Sequence, residues 1–284
     1  KKPSSVPKII VTPEYLAKGS LKKSYINTRL AFNVPWMGVV AMAFAKYPFF
    51  YNSLWQYMYP LTKSIEFDNL CKRLVIISKK KALDLKPKSL IKSLKKIGYN
   101  NYEIKKINEV NQIFTTGNMP YLIMATIARI FLEEGELLNT KSFKNNNRTK
   151  IKSDKNYLLL IEQHHANNSL KETYKSIKSN LGLPFLNTDY RAFARWPSYF
   201  EMAWKSFLPA LLSTKYEEKV LEIHNFIIKK VLSLPNPNKV KSIQIINAAK
   251  KDKKFNEIKK VVNLFQWLLP GLITNVAFMR EQIK

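Results

Sequence analysis

Cysteine is nearly absent: Cys71 stands alone in 284 residues, so no intrachain disulfide can form. That usage fits a reducing compartment, and a cytoplasmic protein is expected. Glycine is scarce too, at 7 residues, and no Asn-Gly or Asp-Gly dipeptide occurs, which removes the common two-residue hairpin turns. The three histidines, His164, His165 and His224, have no H-x-x-x-H spacing and no C-x-x-C pair accompanies them. His164-His165 beside Glu162 is the nearest approach to a ligand set, and no metal or other cofactor is expected. No G-x-S-x-G elbow, phosphate loop or dinucleotide-binding glycine pattern is present. Serine-triad hydrolysis, nucleotide hydrolysis and hydride transfer thereby lose their usual signatures. No apolar stretch follows the basic start from Lys1 to Lys8, so no signal peptide is expected.

Arginine is the next shortage. The net charge is +28, yet only 7 of the 48 basic residues are Arg. Sites built for nucleic acid favour Arg, whose planar fork meets phosphate and guanine bidentately. The lysines are scattered over every segment beside many Asn and Ile, the pattern of a solvated surface rather than a nucleic-acid face. The summed field still draws small anions towards any cleft.

What is abundant is apolar and aromatic: 46% hydrophobic residues, with 16 Phe, 14 Tyr and 5 Trp, enough for a substantial core. Apolar residues recur at i, i+3, i+4 and i+7 in Tyr102 to Phe114, Leu158 to Tyr174 and Val220 to Leu232, the period of an amphipathic helix. Pro35, Pro48, Pro60, Pro120, Pro184, Pro197, Pro209 and Pro270 are read as helix starts or stops. An all-α fold follows. Val34 to Tyr59 has the look of a membrane span, but Lys46, Pro48, Asn52 and Gln56 interrupt it. A buried amphipathic helix explains it better, and no membrane partner is expected.

The chain also contains itself twice. Residues 20–60 align without a gap onto 169–209, with 11 identities in 41 positions. Ser20-Leu21-Lys22-x-x-Tyr25 returns as Ser169-Leu170-Lys171-x-x-Tyr174, Trp55 returns as Trp204, and Pro35, Pro48 and Pro60 return as Pro184, Pro197 and Pro209. Near the ends the offset moves from 149 to 150, and Asn118-Met119-Pro120-Tyr121 faces Leu268-Leu269-Pro270-Gly271. The expected organisation is a helical repeat at 13–137, a polar linker at 138–156 and a second repeat at 157–284, the two packed as a pseudo-dimer. The copies differ most at one turn. Gly38-Val39-Val40 faces Asn187-Thr188-Asp189, so one copy stays apolar where the other gains a carboxylate.

That carboxylate has a plain reading beside the functional one. Asn187 or Thr188 can cap a helix with Asp189 in its first turn. The first copy makes the same turn without it, so the fold does not demand Asp189. Cys71 reads as a core or surface thiol, with neighbouring cations that would lower its pKa. Trp36, Phe185, Trp196, Trp204, Phe265 and Trp267 read first as core aromatics.

The stretch Leu183-Pro184-Phe185-Leu186-Asn187-Thr188-Asp189-Tyr190-Arg191-Ala192-Phe193-Ala194-Arg195-Trp196-Pro197 resembles the signature of the DehI family, the group I 2-haloacid dehalogenases. Gly117-Asn118-x-x-Tyr121-Leu122 and Leu264-Phe265-Gln266-Trp267-Leu268-Leu269-Pro270 resemble two further blocks of that family. The resemblance covers nearly the whole chain. It implies an all-helical pseudo-dimer with the active site between the repeats. The implied reaction replaces the C2 halogen of a short 2-haloalkanoate by hydroxyl with inversion, using water directly and no cofactor, on both enantiomers. By the same resemblance Asp189 is the catalytic aspartate and Asn118 the residue that positions water. Trp36, Val39, Tyr121, Asn187 and Thr188 fall on the binding wall, which Phe265 or Trp267 completes. Val39 stands where the family leads one to expect an aromatic, and Asn187-Thr188 where a smaller pair is expected; both departures bear on the pocket rather than the base.

The implied partners are a small 2-haloacid and halide, with a homodimer left open. Two other readings remain at this point: a basic helical module binding nucleic acid or an acidic partner, and a related hydrolase of another small carboxylate.

Overall fold

The computed structural model describes residues 3, 5–145 and 158–284, and these residues form an all-α protein. The first half contributes α1 (Gly19–Phe32), α2 (Val39–Ala45), α3 (Pro48–Leu61), α4 (Ile65–Asp84), α5 (Ile91–Lys96) and α6 (Asn101–Leu132). The second contributes α7 (Asn168–Leu181), α8 (Thr188–Phe193), α9 (Pro197–Leu211), α10 (Thr214–Leu232), α11 (Ser242–Lys251) and α12 (Phe255–Glu281). A 3-10 turn precedes each half, at Glu14–Leu16 and Gln163–His165. The only extended pairings among the described residues are the isolated bridges Ser64–Asn145 and Asn139–Pro235.

The element order thus runs through the same seven steps twice, and details repeat with it. Tyr25 Oη donates to the carbonyl of Thr12, and Tyr174 Oη to the carbonyl of Ile161, both across 13 residues. Arg29 pairs with Glu14, and at the aligned positions Lys178 donates to Gln163. Both first helices end on a residue in the left-handed conformation, Asn33 at φ 57° and Gly182 at φ 62°.

The chain divides into two compact units, and each draws on both halves of the duplication. The first comprises 1–74, 117–157 and 224–270; the second comprises 75–116, 158–223 and 271–284. Under the repeat offset, the stretch starting at 75 is the counterpart of the stretch starting at 224, so equivalent segments have changed places. Of the expected linker at 138–156, residues 146–156 lie outside the described residues. The described part is exposed but tied down: Ile65 N donates to the Lys144 carbonyl at 2.8 Å and Asn236 N to the Asn139 carbonyl at 2.6 Å.

Several local expectations are corrected. Pro48 and Pro197 do open helices, but Pro60, Pro120, Pro209 and Pro270 lie inside them. An interior proline costs a helix about 3 kcal/mol. The burial of Met119, Tyr121, Leu122 and Ile123 on either side of Pro120 outweighs that cost. The helical window expected from Leu158 begins only at Asn168, because the Asn167 side chain caps α7 by accepting from Leu170 N at 2.8 Å. The apolar stretch from Val34 to Tyr59 is broken into α2 and α3 at Lys46–Tyr47. Among the described residues, the helix that is long and apolar enough to cross a membrane is α12, and 83% of its most apolar window is buried inside the protein, as in a core helix. Cys71 is half-buried, and burial pushes its thiol up, against the lowering expected from nearby cations.

Within the first unit, α3 receives its N-terminal cap from a distant part of the chain. The Tyr47 side chain caps nothing. Instead the Asp252 carboxylate, at the end of α11, accepts from Phe49 N at 3.2 Å and Phe50 N at 2.8 Å. A carboxylate over exposed amides at the positive end of the helix dipole is favourable twice over. Asp252→Ala is expected to destabilise the protein by about 1–2 kcal/mol, read from the urea midpoint. A midpoint equal to wild type would show that solvent caps α3 equally well.

Candidate active site

In the first unit, Trp36, Gly38, Gly117 and Tyr121 converge. Tyr121, on α6, donates its hydroxyl to the Trp36 carbonyl and accepts from Gly38 N, each at 2.8 Å. Burial pushes its phenol well above the usual value, so the donor proton stays in place. The hydroxyl is therefore occupied in bracing the turn before α2, and any part of Tyr121 in a binding wall falls to its ring. That ring packs edge-on against Phe32, with centroids 5.1 Å apart, and lies 5.9 Å from the Trp36 ring.

Both glycines are explained by close approach. A Cβ on Gly38 would come within 2.9 Å of the Tyr121 ring, and one on Gly117 within 2.4 Å of the Trp36 ring. Asn118, one residue on, is buried at 4% exposure. Val39 is half-buried at the first position of α2. Phe265 is buried against Phe44 of α2, ring centroids 6.2 Å apart, whereas Trp267 is half-buried.

Between those two aromatics, Gln266 is fully buried. Arg129 Nη1 donates to its Oε1 at 2.5 Å, which turns the amide nitrogen towards His224 Nδ1 at 3.2 Å. His224 Nδ1 must then accept, and the neutral ring carries its proton on Nε2. Burial first, and Arg129 second, lower the His224 pKa from its ordinary 6.5. A lowered histidine pKa supports the fold above the unfolded value and loses that support as pH falls below it.

In the second unit, Asn187, Thr188 and Asp189 lie together at the start of α8, and all three are buried, Asp189 to 2% exposure. Asn187 is the N-cap by backbone alone, at φ −64° and ψ 153°, and its side chain makes no capping bond. Gly38 has nearly the same conformation, φ −64° and ψ 144°, so the turn is common to both copies and only its side chains differ. On one side of α8, Arg191 pairs with Glu162 at 2.7 Å and donates to Thr188 Oγ1 at 3.3 Å. On another side, Tyr190 Oη accepts from Asn275 Nδ2 at 2.9 Å, and Asn275 Oδ1 accepts from Tyr216 Oη at 2.7 Å.

Sequence reasoning missed this tyrosine–asparagine–tyrosine chain. The repeat alignment carries the signal: Tyr190, Tyr216 and Asn275 stand opposite the apolar Ala41, Phe67 and Ala125. The remaining candidates lie elsewhere. His164 and His165 are exposed on their 3-10 turn, and Glu162 is held by Arg191. Among the described residues no cluster of three His, Cys, Asp or Glu is placed to hold a metal ion.

Two outcomes are expected from the first unit. Gly117→Ala should displace the Trp36 ring, cost about 1–3 kcal/mol and change the tryptophan emission spectrum; an unchanged spectrum and midpoint would show that the ring yields freely. The urea midpoint should fall from about pH 7 to about pH 5, and His224→Gln should flatten that fall; an equal slope in the variant would place the linkage elsewhere.

No family model matches the chain. It is 35% identical over 243 residues to an (R)-2-haloacid dehalogenase of Rhizobium sp. (strain NHG3), covering 84% of this chain and 93% of that protein. A solved D-2-haloacid dehalogenase mutant in complex with D-2-CPA superposes with a TM-score of 0.91 at 29% identity, covering 100% of this chain and 99% of the other. A D-2-haloacid dehalogenase in complex with L-LA gives a TM-score of 0.90 at 29% identity over the same shares. Identity at this level over most of both sequences, with one all-α fold, shows that the chain belongs to the DehI family of 2-haloacid dehalogenases.

Proposed function

We propose that this protein is a hydrolytic 2-haloacid dehalogenase in which water, activated directly by Asp189, displaces the halide from C2. The observation that carries the reading is a carboxylate 98% withdrawn from solvent on the first turn of α8, where the aligned turn of the other copy is apolar. Displacement at an sp3 carbon needs a nucleophile in line behind the leaving group, so positioning supplies much of the rate. Water is a weak nucleophile. Asp189 takes one of its protons as the C–O bond forms, Asn118 orients it, and the halide departs with the bonding pair. Configuration at C2 is inverted and the product is a 2-hydroxy acid. No step requires a metal or an organic cofactor.

Trp36, Val39, Tyr121, Asn187 and Thr188 are assigned to the binding wall, with Phe265 preferred over Trp267 because it is buried against α2. The substrate is assigned as the (R), or D, enantiomer of a short 2-haloacid. The names of the related enzymes support this, as does the pairing of D-2-CPA and L-LA in the two solved complexes, which suits inversion. The single cysteine supports a cytoplasmic location. The stretches 13–137 and 157–284 are read as copies of one ancestral domain, on the matched element order and the matched Tyr25 and Tyr174 bonds.

Halide release from (R)-2-chloropropionate should exceed that from the (S) form. Asp189→Asn should lower it at least about 1000-fold while circular dichroism and the thermal midpoint stay near wild type. Retained activity in that variant, or no release from any short 2-haloacid, would overturn the reading.

A further inference from the structure

Asp189 sits on a helix of only six residues, too short to fix its own rotation about its axis. Whatever holds α8 therefore decides where the carboxylate points. Successive residues on a helix are turned by about 100°, so a contact made by residue 190 sets the direction of residue 189.

Tyr190 makes such a contact. It is fully buried, stacked on Phe200 at 6.1 Å and edge-on to Trp204 at 6.2 Å. Ring packing alone leaves a phenol some freedom to slide in its plane. The hydroxyl removes that freedom through Asn275, which is itself 1% exposed and held by Tyr216 Oη at 2.7 Å. The polarity of the chain is determined: Tyr216 donates to Asn275 Oδ1, and Asn275 Nδ2 donates to Tyr190 Oη. Burial pushes the Tyr190 and Tyr216 hydroxyls far above the usual phenol range, so both remain protonated. A second hold lies further round the helix, where Arg191 engages Glu162 and its carbonyl accepts from Ile161 N at 3.0 Å.

The comparison within the chain sharpens this. At the aligned positions the first copy has Ala41, Phe67 and Ala125 for the three network residues and Met42 for Arg191. At these four positions, then, the first copy is apolar throughout, and its aligned turn Gly38-Val39-Val40 carries no carboxylate. Burying two phenols and an amide has to be offset bond by bond, and the fold manages without them once. The polar network accompanies Asp189, not the helix.

We propose that Tyr190, Asn275 and Tyr216 are positioning residues for the hydrolysis, fixing the rotation of α8 and hence the aim of the Asp189 carboxylate at the attacking water. The proposal rests on the assignment of Asp189 as the base. Misplacing a reacting group by an ångström costs on the order of 100-fold in rate, without requiring any loss of substrate affinity.

The test compares Tyr190→Phe, Asn275→Leu, Tyr216→Phe and the triple variant, with halide release and thermal midpoints measured on the purified full chain. The singles leave a buried polar partner unsatisfied, so they should lose stability as well as rate. The triple variant is apolar throughout, as in the first copy, and should recover much of that stability. Each single and the triple should show kcat lowered about 10- to 100-fold, with KM within about twofold of wild type. A triple variant that regains kcat along with its midpoint would reduce the network to a structural role and overturn the proposal. So would a Tyr190→Phe variant with wild-type kcat while Asp189→Asn is inactive. An Asp189→Asn variant that keeps the wild-type rate would instead remove the base assignment, and the proposal with it.

Discussion

A carboxylate kept out of water must be matched by its surroundings, and the placement of Asp189 depends on that constraint. Asp189 is 2% exposed on the first turn of a short helix, in a protein carrying a net charge of +28. Its own helix is turned by what lies on either side: Arg191 with Glu162 and Thr188, and Tyr190 with Asn275 and Tyr216. The lysine excess stands apart from this. It surrounds the molecule with a field that favours anions, while the local order around Asp189 is set by uncharged hydrogen bonds and by one arginine.

The duplication makes the contrast visible within one chain. In the first copy a tyrosine on α6 fills the space against Gly38 and braces the turn before α2 through its hydroxyl. In the second the roles are exchanged. The counterpart of Gly38 is Asn187, and the counterpart of Tyr121 is Gly271, against which Tyr216 rests with its hydroxyl 3.0 Å from where a Cβ would be. A bulky helix residue with a small turn residue has become a small helix residue with a polar turn. Backbone geometry survived the exchange, since Gly38 and Asn187 share φ at −64° and have ψ of 144° and 153°. One turn can therefore be apolar in one place and carry a buried carboxylate in the other.

How much of this was legible follows from which signals are local. Helical periodicity, scarce glycine and the internal alignment suffice for the all-α class and for the paired helices α1 and α7, α3 and α9. The difference between Gly38-Val39-Val40 and Asn187-Thr188-Asp189 marks the turn in the sequence, but not the burial of its carboxylate, which the surrounding helices decide. Pro120 and Pro270 lie inside helices against the local rule, because burial of their flanking residues is a tertiary effect that no local rule anticipates. α7 begins ten residues after the start of its apolar spacing, because that spacing continues through Leu158 to Ala166, where Tyr174 ties the chain down as a strap instead of a helix. The Asp252 cap on α3 spans about 200 residues of sequence and has no local signature. Tyr190, Asn275 and Tyr216 look like ordinary core residues until their apolar counterparts are set beside them.

The central claim is that Asp189 acts on water and not on carbon. A single turnover in oxygen-18 water, with enzyme in excess over (R)-2-chloropropionate, separates the two directly. Direct attack by an Asp189-activated water puts the heavy isotope into the hydroxyl of the 2-hydroxy acid in the first turnover. Unlabelled product, with the isotope appearing in the Asp189 carboxylate, would mean that the aspartate attacks C2 itself through an ester and would contradict the mechanism proposed for this site.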